Sequence, residues 1–343
     1  MQFNIVKRIK LNHKSRFKHL RLDKNERVSK FPKKFVEIFK KKLSSENFSI
    51  YPEIYKFYEL LSKKHHLSKK HFIAIAGIDA GLRNCIELFG NKKIIVLDPT
   101  FAMINIYCKV LKKKTIKINY NSNFKLNFKK LYSHINNKVS LIVISNPNSP
   151  TGTVLNIEEI KKILEKAKKN KIHVVIDEAY YGFCSITSIS LIRKFDNLIV
   201  LRTFSKAYGL AGLRIGYAIS NAKNINKLIN IKPMYEVNSL GVLGANILLK
   251  NEFIRTNYLK NVSDGKKILL NFFNSKNIKF INTNGNFVLF KLQKKRKSIF
   301  KKLKLRKINI VEKFNYKNLK NYSRITLAPS KEINKFTRIL RSY

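Results

Sequence analysis

Leu198-Ile199-Val200-Leu201-Arg202-Thr203-Phe204-Ser205-Lys206 begins as an apolar, β-branched run and ends on small polar residues and a lysine. The run reads as a buried strand and the polar tail as its exit. The pattern recurs on both sides of it. Residues 72–76, 94–97, 115–118, 141–144 and 174–176 upstream, and 215–219 downstream, are short runs of the same kind. Helical periodicity lies between them near 80–89, 102–111, 128–135 and 157–169. Strands that alternate with helices predict an α/β domain whose mostly parallel sheet is covered by helices. After about residue 240 the alternation loosens. Two strand-like runs, 286–291 and 324–327, stand there among helical stretches, as in a smaller α+β domain. The expected organisation is an N-terminal arm with part of the small domain (1–40), a large domain (41–238) and a small C-terminal domain (239–343).

Composition narrows the function classes. At 343 residues the chain can bury one large core and one smaller one. Its apolar fraction of 44% is that of a globular protein, which argues against disorder. No apolar run approaches the roughly 18–20 residues that cross a bilayer, so no membrane partner is expected. The N-terminus is basic but lacks the continuous apolar segment of a secretory signal, and its shortage of acids is shared by the whole chain. Cys85, Cys108 and Cys184 form no CxxC pair and suit a reducing compartment, so a cytoplasmic protein is expected. The net charge of +51 invites a nucleic-acid reading. Yet the lysines are spread along the chain, in the company of abundant Asn, Ile and Phe, whose codons are A/T-rich. Specific nucleic-acid binders concentrate their charge, so a compositional origin is favoured and no specific nucleic-acid partner is expected. His65, His66 and His71 lack companion carboxylates or cysteines at ligand spacing; they are expected to be solvated, and no metal is expected.

Ligands of open α/β sheets bind outside the carboxyl ends of the strands. The strand exits read Gly77-Ile78-Asp79, Asp98-Pro99-Thr100-Phe101, Asn146-Pro147-Asn148-Ser149-Pro150-Thr151-Gly152, Asp177-Glu178-Ala179-Tyr180 and Thr203-Phe204-Ser205-Lys206. Glycines, acids, amides, a tyrosine and a lysine thus gather at one sheet edge. Gly77-Ile78-Asp79 opens a helix directly after a strand, so the amides of Ile78 and Asp79 point at an anion. Asp177 follows Val174-Val175-Ile176 and must end a buried strand, where an unpaired carboxylate is costly.

The segment from Thr203 to Arg214, with Arg214 eight positions after Lys206, resembles the cofactor-attachment segment of fold-type I aminotransferases, and most closely the histidinol-phosphate aminotransferase branch. The resemblance runs from Leu22-Asp23-Lys24-Asn25-Glu26 to Arg324-Ile325-Thr326 and is densest between Tyr51 and Gly216. It implies pyridoxal 5′-phosphate as cofactor, an amino donor and a keto acceptor as substrates, and a homodimer with shared sites. Lys206 would hold the cofactor's aldehyde and later carry the proton between Cα and C4′. Asp177 would keep the pyridine nitrogen protonated, and Tyr180 would hydrogen-bond the phenolate oxygen. Gly77, Ile78, Asp79, Ser205, Arg214 and Thr203 would hold the phosphate. Tyr51 would reach the phosphate of the neighbouring subunit. Arg324 would bind the substrate carboxylate, since a bidentate cation suits that group, and Asn25 lies in a segment near the substrate.

The chain departs from the family at three points. Phe101 stands where a tyrosine usually stacks on the ring, which keeps stacking and loses a phenol. Ser149, with Asn148 before it, stands where asparagine usually precedes Pro-Thr-Gly; either Ser149 substitutes, or Asn148 turns inward, or the contact is missing. Asn25-Glu26-Arg27-Val28 lacks the usual proline. The expected reaction is amino transfer between glutamate/2-oxoglutarate and a phosphorylated amine such as L-histidinol phosphate. The alternatives are a decarboxylase of a phosphorylated amino acid on the same scaffold and a non-enzymatic basic binding protein.

Overall fold

The computed structural model describes residues 16–293 and 295–341; the first fifteen residues, with their basic composition, lie outside the described residues. The chain enters through strand β1 (Leu20–Arg21) and helices α1 (Lys33–Lys42), α2 (Glu46–Ser49) and α3 (Tyr55–His65). The alternating portion follows as β2 (Phe72–Ile75), α4 (Ile78–Phe89), β3 (Lys93–Asp98), α5 (Ala102–Val110), β4 (Thr115–Asn119), α6 (Phe128–His134), β5 (Val139–Ser145), α7 (Ile157–Lys169), β6 (His173–Asp177), β7 (Leu198–Thr203) and β8 (Gly216–Ile219). Then come α8 (Ala222–Ile231), α9 (Ser239–Lys250), α10 (Glu252–Ser275), β9 (Phe280–Asn282), β10 (Phe287–Phe290), α11 (Arg296–Leu305), β11 (Ile308–Asn309), β12 (Ser323–Thr326) and α12 (Ser330–Leu340). Every strand expected from the alternating runs is present. β9 was not anticipated, because its partly exposed Phe-Ile-Asn is too short to show a period.

Seven strands form one sheet in the order β2-β8-β7-β6-β5-β3-β4. All neighbours are parallel except those of β8, which is antiparallel to both β2 and β7. The parallel interior is legible because both faces are covered: all seven residues of β5 are buried. Alternate residues supply two separate cores. Ile142, Ile144, Val174, Ile176, Leu198 and Val200 face one side. Leu141, Val143, Val175, Ile199 and Leu201 face the other, against Leu82, Cys85 and Ile86 of α4. The chain lays β4 outside β3 and then places β5 on the opposite side of β3, so the winding direction reverses between β3 and β5. A crevice opens at such a reversal, beyond the strands' carboxyl ends.

A third core forms between α10, α12 and the sheet β12-β10-β9. α10 buries Ile254, Tyr258, Val262, Gly265, Leu269 and Phe273, one residue per turn. Ile254 belongs to the core of the large sheet and Tyr258 to this third core, so one helix joins them. Gly265 has a packing reason: a Cβ there would meet the Ala328 carbonyl at 1.9 Å. The segment after β1 is bound to this smaller unit. β1 pairs in parallel with β11, and Leu22 accepts the Thr326 N–H at 2.9 Å. No helix among the described residues is long and apolar enough to cross a membrane.

The histidines require one correction. His65 is not a solvated residue: its Nε2 lies 3.0 Å from the Tyr217 hydroxyl and its ring stacks on Phe72. Loss of water, with Arg202 nearby, drives its pKa down to about 2 and keeps it neutral. The 3.6-residue period of α3 turns this position inward, which a motif search ignores. No group of potential metal ligands occurs among the described residues.

Candidate active site

The crevice holds a cavity of about 260 Å³ that collects the strand exits. Ile78 and Asp79 come from the start of α4, Phe101 from the exit of β3, and Ser145 and Ser149 from the end of β5 and beyond. Asp177, Ala179 and Tyr180 follow β6, and Thr203, Ser205, Lys206 and Arg214 follow β7. Lys24, Asn25 and Arg324 reach it from the smaller unit.

Asp177 is 3% exposed. Its Oδ1 accepts the Ala179 N–H at 2.9 Å and its Oδ2 accepts the Ser145 hydroxyl at 3.1 Å. Burial still dominates and pushes its pKa up to about 6. A carboxylate so placed calls for a cation. Lys206 Nζ donates to the Lys24 carbonyl at 3.0 Å. Desolvation first, then Arg324, lower its pKa to about 8. At pH 7 about a tenth of such amines are neutral, against about one in three thousand for an ordinary lysine in water. The lysine is thereby tuned towards a nucleophile.

The anion-binding end is built around α4. Gly77 caps this helix with φ 80°, and a Cβ there would lie 2.7 Å from Arg214 Nη2, so only glycine lets the guanidinium approach. Arg214 Nη1 donates to Ser205 Oγ at 3.3 Å, and Nη2 stands 3.6 Å from Asp79. First-turn amides of a helix have no intrahelical acceptor, so the cavity meets donors, a hydroxyl and a cation together. At the other end Arg324 Nη2 donates to the Asp23 carbonyl at 2.6 Å, while its Nε is buried without an acceptor. Burial pushes the pKa of this guanidinium down. Tyr180, 5% exposed, accepts the Asn25 amide at 2.9 Å and also meets Ser149; burial raises its pKa.

Three sequence candidates do not line the cavity. Gly77 supports it from behind, as described. Asn148 is fully buried, and its amide is committed to the Pro99 carbonyl at 2.9 Å and to Thr151 Oγ1 at 2.8 Å. Of the three alternatives at this loop, the turn of Asn148 towards the cofactor is not seen, since its amide is spent on Pro99 and Thr151, and Ser149 is the residue that faces the cavity. Tyr51 is 67% exposed and stacks on Tyr235, with centroids 3.8 Å apart. Three further residues that line the cavity were not site candidates in the sequence reading: Ser145, Lys24 and Ala179, the last through the N–H it gives Asp177. Ser145 is paired in register with Asp177, and a polar residue closing the apolar run 141–144 was the available signal. Lys24 contributes its carbonyl, which no side-chain pattern reveals.

A family model described as aminotransferase class I and II matches residues 19–340. Histidinol-phosphate aminotransferase 1 of Carboxydothermus hydrogenoformans is 32% identical over 321 residues, 91% of this chain and 89% of that protein. Among solved structures, the histidinol-phosphate aminotransferase from Sinorhizobium meliloti, in complex with pyridoxal-5′-phosphate, matches with a TM-score of 0.83 at 19% identity, covering 94% of this chain and 91% of that one. The L-threonine-O-3-phosphate decarboxylase from Porphyromonas gingivalis matches with a TM-score of 0.77 at 20% identity, covering 94% and 98%. At these identities the two structures speak for the fold alone.

Proposed function

The chain belongs to the class I and II aminotransferases, and on that premise we propose that it moves an amino group between glutamate/2-oxoglutarate and a phosphorylated amine of the L-histidinol phosphate type. It is a pyridoxal 5′-phosphate-dependent transaminase. The residues present fit that cofactor. Asp177 is a buried carboxylate in want of a cation, which a protonated ring nitrogen provides. Ile78, Asp79, Ser205 and Arg214 match a phosphate. Phe101 offers a ring to stack on, and Tyr180 and Ser149 offer hydroxyls to the phenolate oxygen. The bound cofactor supplies an electron sink for the substrate's Cα. Lys206 is the group that takes the proton from Cα and returns it, since a lowered pKa suits both directions near neutrality.

The observation that carries the substrate reading is Arg324. Its Nε is buried with no acceptor, so the guanidinium is incomplete without an anion. A carboxylate satisfies it bidentately, as the glutamate/2-oxoglutarate half-reaction requires. The phosphorylated partner is supported by the relative from C. hydrogenoformans named above. A panel of amino donors and keto acceptors, followed by the absorbance change of the bound cofactor, tests the proposal. Glutamate and L-histidinol phosphate are expected to convert the cofactor stoichiometrically. Release of CO₂ from a phosphorylated amino acid, with no amino transfer to 2-oxoglutarate, would instead make the chain a decarboxylase.

The reading includes a homodimer with shared sites. Tyr51, Tyr55, Phe48, Ile50, Met234 and Tyr235 are all at least half exposed, and Tyr51 and Tyr235 stack into one apolar surface that a second subunit could cover. Tyr51 leaves its own cavity free and is available to another subunit's. Mixing inactive Lys206→Ala subunits with weakened Tyr51→Phe subunits is expected to change activity beyond the average of the two parents. Plain averaging after full subunit exchange would mean that Tyr51 serves its own subunit.

A further inference from the structure

Asp177 and Glu178 are consecutive at the end of β6, so they face opposite sides of the sheet. Asp177 turns to the cavity. Glu178 turns to the core that holds Val174 and Ile176. One strand over, Thr203 and Arg202 divide in the same way. Glu178 and Arg202 side chains are 2% and 1% exposed and form an ion pair on the far side of the sheet from the cavity. Arg202 Nε and Nη2 both donate to Glu178 Oε2, at 3.1 and 2.9 Å. The Thr187 hydroxyl lies 3.2 and 2.9 Å from the two carboxylate oxygens, and the Ser188 N–H donates to Oε1 at 2.5 Å. The guanidinium lies 3.4 Å over the Tyr181 ring.

Such a pair contributes little net stability, because apolar residues of similar volume commonly serve as well. Its partners show another use. Thr187 and Ser188 close the loop that leaves β6 at Glu178, and this loop carries Ala179 and Tyr180. The Ala179 N–H holds Asp177 Oδ1, and the Tyr180 hydroxyl faces the cavity. We propose that Arg202 and Glu178 are positioning residues for amino transfer, which clamp loop 178–188 so that Asp177 and Tyr180 keep their orientation towards the cofactor. The proposal rests on the reading of Asp177 as the partner of the ring nitrogen.

The test uses the cofactor-loaded enzyme in three forms: wild type, the double variant Glu178→Leu/Arg202→Met, and Glu178→Gln. Melting temperature, kcat, KM and the pH midpoint of the bound cofactor's visible absorption are measured. The double variant is expected to melt near the wild type, because both charges are removed together. Its kcat is expected to fall about ten- to a hundred-fold, as small displacements of reacting groups do, with KM nearly unchanged. The pH midpoint should move, which loss of folded protein alone would not cause. A folded double variant with wild-type kcat and midpoint overturns the proposal. Should the double variant not fold, Glu178→Gln decides below its own melting temperature: wild-type kcat and midpoint there overturn it equally. Failure of the underlying reading looks different, since Asp177→Asn itself would then leave the midpoint and kcat unchanged.

Discussion

Replacing Lys206 with alanine is expected to lower turnover by at least about three orders of magnitude, since positioned proton transfer alone is worth about 10²–10⁴ and the anchoring amine is lost with it. Borohydride reduction of the loaded wild type is expected to leave the cofactor on the peptide that contains Lys206, and on no peptide of the variant. A label found on another lysine would remove Lys206 from its role. The pH dependence follows from the depressed pKa. The nucleophile is the neutral amine, so its fraction rises about tenfold per pH unit below the pKa and levels above it. Cofactor capture by the apo-protein is therefore expected to accelerate up to about pH 8 and then flatten. A rise continuing to pH 10 would place the lysine in water.

Asp177→Asn should separate binding from chemistry. Phosphate contacts through Ile78, Ser205 and Arg214 remain, so the cofactor stays bound. The charge that stabilises a protonated ring nitrogen is gone, and a loss of about 3 kcal/mol in barrier, roughly a hundred-fold, is expected. Half-reaction rates near wild type would refute the assignment. The apo-protein should respond in the opposite sense. Asp177 in the folded chain holds its proton up to about pH 6, whereas the unfolded chain releases it near the ordinary aspartate value of 3.8. The folded state thus binds more protons in that window, and its stability falls as pH rises from about 4 to 6. This displacement of the pKa corresponds to about 3 kcal/mol of cost at pH 7. The asparagine variant escapes that cost, so the inactive apo-protein should melt higher than wild type at pH 7 and not at pH 4.

These opposed effects have one origin: Asp177 is a buried carboxylate held by two hydrogen bonds, and the proposed cofactor would bring it a cation. Glu178, its chain neighbour, is neutralised within the chain. The two acids are adjacent in sequence and chemically alike, and only the alternation of a strand separates a cavity group from a buried ion pair.

Much of this was legible in the residues alone. Apolar runs bounded by polar exits located the strands of the large sheet, because a parallel strand covered on both faces has to be apolar throughout. The polar exits located the cavity, because polar groups at the ends of buried strands must find partners there. Lys206, Asp177, Tyr180 and Ser205 stood at such exits, whereas Arg214 and Arg324 came from family resemblance alone, which also supplied the roles of all six. Contacts set by loops and by docking between the two units were not legible. The choice between Asn148 and Ser149 depended on which hydrogen bonds the turn could close, and Asn148 found Pro99 and Thr151. Ser145 entered the site through its register with Asp177, and Lys24 through a carbonyl, a group that every residue shares. His65 was misjudged because its partner, Tyr217, lies 152 residues away. The sequence by itself determined the order of strands and helices in the large sheet and which candidate groups stand at the strand exits, since hydrophobic periodicity and side-chain chemistry are local properties. Which polar atoms face the cavity, and which are spent on one another behind the sheet, was decided only in the tertiary structure, because a hydrogen bond is assigned by the geometry of both its partners.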